Sequence, residues 1–506
     1  MGHYGQTKKY ILGIIRTQTI KGTAFTYLGA VIGVITNLFL LAKFFTTEQV
    51  GLISVLVAYS LLFAQFASLG FDNVTIRLFP YFRSKSNNHN GFLFLLISTI
   101  SIGFVLSTLL FFVLKPYMIE NIEKTTNLFA QYANFVIPLA FSTLLFNSFD
   151  AYSRVLYKSV RGIFLKEFLQ RILIVIAILL YILHFLNFNS FIIYYSIALS
   201  LPTIILFILI FIDKQLNFKR VKGFVNPELR KSIISVTFYG IIAVFSSSVI
   251  LSIDRIMIER MLGLSEAGIY SIAFFFGVII SMPSRALAKI SSTIVADAWK
   301  NNDFNTIRNV YYKSCLNQMI FSVLLFIGIW ANIDNVFHIL PVNYLAGKFV
   351  IFWVCLGSFI DMSTGINSSI IATSKYYRVQ SIFMTLFVLI IIVTNYIFIP
   401  YYNITGAGMA NAISLFLFNL MRWLFLWIKF DFQPFNYKYL IVFFISSIAY
   451  FAGYFLPKLD NFIIDIIVRS SLIFVIFSLL IYFSKVSEDI NGRVKAYYSK
   501  IFIKKN

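Results

Sequence analysis

The sequence predicts an all-α integral membrane protein of about 14 transmembrane helices, and three observations predict it. Of its 506 residues 59% are hydrophobic and only 12% are charged, with a mean hydropathy of +0.83, whereas a soluble domain carries about 25% charged and about 45–50% apolar residues. So few charges cannot coat a soluble surface. Apolar stretches recur at lengths near the roughly 20 residues a helix needs to cross a bilayer. Lys and Arg collect on alternate connections between those stretches, as they do in a chain threaded back and forth through a membrane.

The spans follow in order. The basic, polar segment Met1–Lys21 shows no cleavage pattern of a signal peptide, and behind it the first span runs over 20–43. It carries Gly29 and Gly33, a spacing that allows close helix approach. The second (50–76) and fourth (131–153) are apolar runs whose ends carry Asp72, Arg77, Asp150 and Arg154, with the third (91–115) between them. The fifth and sixth are placed at 168–186 and 190–212, the seventh and eighth at 232–257 and 266–288. The ninth to twelfth fall at 310–332, 347–373, 376–399 and 405–428, and the last pair at 438–456 and 461–484. Pro138, Pro202 and Pro283 lie within spans, where each frees a carbonyl and bends its helix.

With the N-terminus in the cytoplasm, the outer connections hold only Lys43, Lys115, Lys124, Arg260, Lys348 and Lys458. Arg255 and Arg469 lie inside spans, and the rest of the 42 Lys and Arg fall on the inner side. This predicts that both termini are cytoplasmic and that the net charge of +22 is mainly a topology signal. No nucleic-acid partner is needed; a basic inner face attracts anionic lipid headgroups instead. Cys315 and Cys355 sit in apolar runs, and His3, His89, His184 and His338 are far apart, so neither a disulfide scaffold nor a metal site is expected. The outer connections are short, the longest near 333–346, and no DxD or His cluster is present. A membrane enzyme such as a polysaccharide polymerase or lipid-sugar transferase is disfavoured, and the chain is expected not to be an enzyme.

The largest inner segment, 213–231, contains Lys214, Lys219, Arg220, Lys222, Arg230 and Lys231 and falls after the sixth span. Val50-Gly51-Leu52-Ile53-Ser54 opens the second span and Ala267-Gly268-Ile269-Tyr270-Ser271 the eighth, each behind an acidic residue (Glu48, Glu266). Paired halves of this kind underlie alternating access in many transporters. The expected organisation is an N-lobe over 1–212, a basic linker over 213–231, a C-lobe over 232–429, and a last helix pair with a basic tail over 430–506.

Two stretches resemble a known family. Ile250-Leu251-Ser252-Ile253-Asp254-Arg255-Ile256-Met257-Ile258, then Gly263 and Ala267-Gly268-Ile269-Tyr270-Ser271-Ile272-Ala273, resembles the seventh-to-eighth-helix signature of polysaccharide transporters of the MATE-like MOP superfamily. Asn403-Ile404-Thr405-Gly406-Ala407-Gly408-Met409-Ala410-Asn411-Ala412 resembles the opening of their twelfth helix. The resemblance implies a bacterial inner-membrane flippase for lipid-linked oligosaccharide repeat units, such as O-antigen or capsule precursors on polyprenyl pyrophosphate, with a central cavity that is often cationic. Membrane lipids and a polysaccharide polymerase machinery are the partners this implies.

Ionisable groups within spans are costly and tend to face cavities or each other. Lys21, Arg77, Arg285 and Lys289 are the candidate cavity cations that would take the pyrophosphate; the positive-inside rule alone also explains each. Asp254 and Arg255 near the outer end of the seventh span are candidates for gating or for fold maintenance. Asp361, midway along the tenth span with Thr364 on its face and Asn367 near, is the candidate for coupling to H⁺ or Na⁺; the competing reading is a buried acid paired with a base from a neighbouring helix. The i, i+4 pairs Asp150–Arg154 and Asp465–Arg469 favour intrahelical ion pairs, the second of them structural. No other cofactor is expected. A MATE-like exporter of organic cations and a lipid II flippase are the rival transport readings.

Overall fold

The computed structural model describes residues 21–492 except 23, 85–86, 120–127, 220 and 222. The described residues are overwhelmingly helical and contain no strand. The helices are α1 (Ala24–Phe44), α2 (Thr47–Ala67), α3 (Phe71–Phe82), α4 (Phe92–Ile119), α5 (Val136–Val155), α6 (159–182) and α7 (Phe188–Ile212). After the linker come α8 (Pro227–Met261), α9 (Leu264–Lys300), α10 (Phe304–Ala331), α11 (Ile333–Ile339), α12 (Lys348–Ser363) and α13 (Asn367–Thr373). The continuous helical element Tyr377–Phe430 supplies α14 (377–402) and α15 (404–430), followed by α16 (Tyr437–Tyr454) and α17 (Phe462–Phe483).

Twelve helical elements among the described residues are long and apolar enough to cross a membrane, where fourteen spans were expected, and the two differences have physical causes. Asn403 takes a left-handed φ of 50° inside Tyr377–Phe430. The chain folds back there: Thr394 and Ser414 share a hydroxyl hydrogen bond of 2.8 Å, and the Phe387 and Phe418 rings stack at 4.2 Å. One element is thus a hairpin of the expected eleventh and twelfth spans. The expected fifth span, by contrast, is interrupted by a π-turn at Phe164–Leu169, leaving the α-helix Gln170–Ile182 too short to be among the twelve. Two expected spans also break early. The second ends at Ala67 because Leu69 and Gly70 adopt positive φ, so Asp72 opens a separate helix. The tenth breaks at Gly365, φ 63°.

By proximity the chain forms two compact units, Met1–Gly268 and Ile269–Asn506. In the first, α2 is apolar on every side, as a helix surrounded by others must be, and it packs on α4, α5 and α8. A capping box starts it: the Thr46 hydroxyl accepts from the Gln49 N–H at 3.2 Å and the Gln49 side chain accepts from the Thr46 N–H at 3.1 Å. Its first turn crosses the first turn of α9 without a side chain between them. A Cβ on Gly51 would collide with the Leu264 carbonyl, and one on Gly268 with the Thr47 carbonyl. The two repeat motifs therefore meet as mirror roles in one crossing, joined by the Thr47 and Ser265 hydroxyls at 2.8 Å.

In the second unit, α16 and α17 lay Val442, Ile445, Ala449, Ile473, Phe477 and Ile481 on Leu316, Met319, Ile320 and Val323 of α10. The Asp465–Arg469 pair of α17 is 2% and 4% exposed. Two Arg469–Asp465 hydrogen bonds of 3.0 Å join the pair, and Arg469 also donates to the Gly453 and Leu456 carbonyls at the end of α16. A charge pair this well satisfied fixes the hairpin: it supplies the partners that the last carbonyls of α16 lack within their own helix.

Candidate functional site

Each unit contains a polar centre within otherwise apolar helices. In the second unit the break in the expected tenth span places three polar side chains around Asn419 of α15. Asn419 Nδ2 donates to Asp361 Oδ1 at 2.9 Å and to the Leu415 carbonyl at 2.9 Å. Its Oδ1 accepts from the Thr364 hydroxyl at 2.6 Å and from Asn367 Nδ2 at 3.1 Å. One turn on, the Arg422 guanidinium lies 3.7 Å over the Phe418 ring and 3.7 Å from Asp361 Oδ1. The Arg422 side chain is 6% exposed and that of Asp361 41%. Asp361 is thus the accessible end of a buried network, and its charge is balanced by a base from a neighbouring helix, the competing reading its sequence position allowed. A cation taken up at Asp361 would have to compete with that guanidinium.

In the first unit the π-turn that interrupts α6 carries Lys166. Its ammonium donates to Asn147 Oδ1 at 3.2 Å and stands 5.1 Å over the Phe146 ring, with Asp150, Glu167, Arg154 and Asp72 in electrostatic range. Ser148 donates to Asp72 at 3.2 Å. Asp150 pairs with Arg154 at 3.1 Å, and Glu167 with Arg171 at 3.0 Å. The Asp150 carboxylate fits because residue 162 is glycine; a Cβ there would occupy the position of its Oδ1. Beside this centre, at the end of α7, Asp213 accepts from Arg161 and Lys158. Burial pushes the Asp213 carboxyl up, but those two cations outweigh it and hold the group below its ordinary range.

The sequence candidates distribute as follows. Lys21 and Arg77 are both exposed. Arg285 and Lys289 lie on α9, with side chains outside the described residues. Asp254 is buried, and Arg255 donates to the Leu251 carbonyl of its own helix at 3.1 Å. Asp361 and Asn367 are brought together through Asn419. Arg422, Asn419, Lys166 and Asn147 escaped sequence reasoning. Arg422 and Lys166 lie close to connections, where a cation is expected on topological grounds. Glu259 escaped it too: it is 7% exposed, and its Oε2 has no hydrogen-bond partner among the described residues. Among the described residues no cluster of His, Cys, Asp and Glu is arranged to hold a metal ion.

The second unit also contains an apolar groove of about 360 Å³ between α10, α12 and α16, lined by Phe326, Trp330, Phe352, Phe359, Tyr450 and Phe451 among others. Its volume lies within the roughly 300–1,000 Å³ of ligand pockets, and its lining is mainly aromatic.

A family model described as polysaccharide biosynthesis protein matches residues 19–295. No curated protein matches the sequence. Among solved structures, the lipid II flippase MurJ in an inward closed conformation superposes with a TM-score of 0.71 at 17% identity, covering 92% of this chain and 100% of that one. A multidrug resistance MATE family transporter of the MOP superfamily, inward-facing, gives 0.63 at 12% identity over 82% of this chain and 98% of its own. The Vibrio cholerae MATE transporter VcmN in the bent form gives 0.50 at 11% identity, covering 81% and 97%. At these identities the likeness is one of fold.

Proposed function

The chain belongs to the polysaccharide biosynthesis protein family, and from that premise we propose that it is a flippase carrying lipid-linked oligosaccharide repeat units on polyprenyl pyrophosphate from the inner to the outer leaflet. The observation that carries the reading is the combination of that family with a MurJ-like fold over 92% of the chain. Transport, not chemistry on the sugar, is the proposed activity, in a bacterial cytoplasmic membrane with both termini inside. The anionic head enters on cations, with Lys21, Arg77, Arg285 and Lys289 as candidates, while the tail stays in an apolar setting such as the groove along α16.

Alternating access needs a closed side that can open. The bare backbone crossing at Gly51 and Gly268, with the Thr47–Ser265 hydroxyl pair beside it, would serve as such a closure. An inside-negative potential assists outward movement of an anion by about 2.3 kcal/mol per charge per 100 mV. Coupling to H⁺ or Na⁺ through Asp361 is a further part of the proposal. Neutralising Asp361 removes the charge that balances Arg422, which is how an ion could be felt by α15. Handing the repeat unit to a polymerase machinery on the outer side completes the scheme.

Lipid II is the second reading, favoured by the likeness to the MurJ flippase; it shares the pyrophosphate and lipid tail and differs in the sugar. Cells lacking this protein separate the two. On the proposal they accumulate lipid-linked repeat units that only an inner-leaflet reagent can reach, while their peptidoglycan precursors still cross. Accumulation of lipid II instead assigns the second reading, and loss of organic-cation export with neither defect returns the chain to the MATE-like rival.

A further inference from the structure

We propose that a groove between α2, α4 and α8 binds one anionic phospholipid, with Arg260 taking the phosphate and the trough below taking an acyl chain. The groove has a volume of about 450 Å³ and lies wholly within the first compact unit. Tyr59 and Phe63 of α2 and Ile256 of α8 form its buried floor, and Leu114 and Tyr117 of α4 with Phe245 of α8 form its exposed lips. Arg260 is the one charged residue in its lining.

Three features choose the occupant. Apart from Arg260 and the two tyrosine hydroxyls the lining is apolar, so it accepts hydrocarbon and repels water. Arg260 stands at one end only, near the close of α8 at Met261. That places a cation where a headgroup begins and an apolar floor where a tail continues, the division of a phospholipid. Arg260 is exposed and makes no hydrogen bond or ion pair of 4.0 Å or less among the described residues, so its donors remain available to a phosphate. Guanidinium forks match phosphate oxygens in pairs. A neutral polyprenol would use the trough but would not need the cation, and a zwitterionic headgroup would bring its own ammonium into competition with Arg260.

The groove is distinct from the one along α16, and the proposal stands whether or not the protein flips lipid-linked sugars. A lipid held here bridges α2, which carries the Gly51 crossing, and α8, which ends just before α9, and would brace that arrangement.

The test uses the full chain in detergent with phosphatidylglycerol or phosphatidylcholine of identical acyl chains, read by native mass spectrometry. A phosphatidylglycerol carrying a photoreactive acyl chain locates the contact. The expected result is preferential retention of phosphatidylglycerol, with crosslinks on peptides of α2, α4 and α8. Arg260→Gln should lower that preference roughly fivefold, in line with about 1 kcal/mol for one cation near a lipid surface, and Arg260→Lys should keep most of it. Leu110→Trp, which fills the trough, should reduce crosslinking by either lipid. Crosslinks elsewhere in the chain, or a preference unchanged in Arg260→Gln, overturn the proposal. Equal binding of both lipids at this groove overturns the headgroup assignment, and displacement of both by a neutral polyprenol assigns the trough to an isoprenoid chain instead.

Discussion

At the scale of single residues, the buried ion pairs do the most specific work. Arg469 spends its donors on Asp465 and on two carbonyls closing α16. Removing the acid leaves a cation buried without its counter-charge, which costs about 3–5 kcal/mol. Asp465→Ala should therefore lower the thermal stability of the purified protein strongly, and a paired Asp465→Leu, Arg469→Met change should recover much of the loss. Asn419 is the hub of the other centre: in Asn419→Ala, Asp361 keeps Arg422 and Thr364 keeps the Asp361 carbonyl, but the buried Asn367 amide loses its Asn419 partner, an expected loss of about 1–3 kcal/mol read as a lower melting temperature. On the surface of the second unit, hydrogen bonds from Lys348 and Lys458 hold the Asp334 carboxyl down to about 2. Its folded value lies below the roughly 3.9 of a free Asp. The linked stabilisation is therefore full above about 4 and is lost as pH falls from there towards 2. Asp334 is half exposed and screened, so the effect is small; melting curves at pH 6 and pH 3 should differ less in Asp334→Asn than in the parent.

At the scale of elements, the crossing of α2 and α9 is the most demanding contact. Gly51→Val must push α2 away from the Leu264 carbonyl. The expected outcome is a population shift away from the closed crossing, read as faster labelling of a cysteine placed at Thr47; unchanged labelling would show that the crossing does not gate access. Most elements were legible in the sequence because a bilayer forces long apolar runs. Boundaries failed where the backbone, not hydropathy, decides: the left-handed residues at 69–70, Gly365, and the π-turn at Phe164–Leu169; the break at Asn403 falls between the expected eleventh and twelfth spans. The candidate sites were legible only by halves. Asp361 stood out as a charge in a span, but its partners Asn419 and Arg422 come from a helix some sixty positions on, and one sequence does not say which helices touch. Lys166 was hidden because a cation near a connection looks like a topology charge until Asn147 and Phe146 are seen around it.

At the scale of the whole molecule, the composition, the alternation of basic connections, the family match and the MurJ-like fold agree on a many-span helical membrane protein of the polysaccharide biosynthesis family, and the proposed substrate is anionic and lipid-anchored. Two net charges moving outward would gain about 5 kcal/mol at an inside-negative 100 mV, provided the binding cations stay behind. In sealed vesicles, imposing that potential should enrich the outer leaflet in substrate, and collapsing it with an ionophore should remove the bias. A transporter that carries its cations across with the substrate would show no such dependence.

The most direct measurement places the purified protein in liposomes containing a polyprenyl-pyrophosphate oligosaccharide and follows the sugar with a lectin on the opposite face. The sugar should become accessible with the parent protein, and Arg285→Ala should slow the process markedly. If no lipid-linked sugar crosses while an organic cation is taken up by the same liposomes, the protein is not a flippase of lipid-linked sugars.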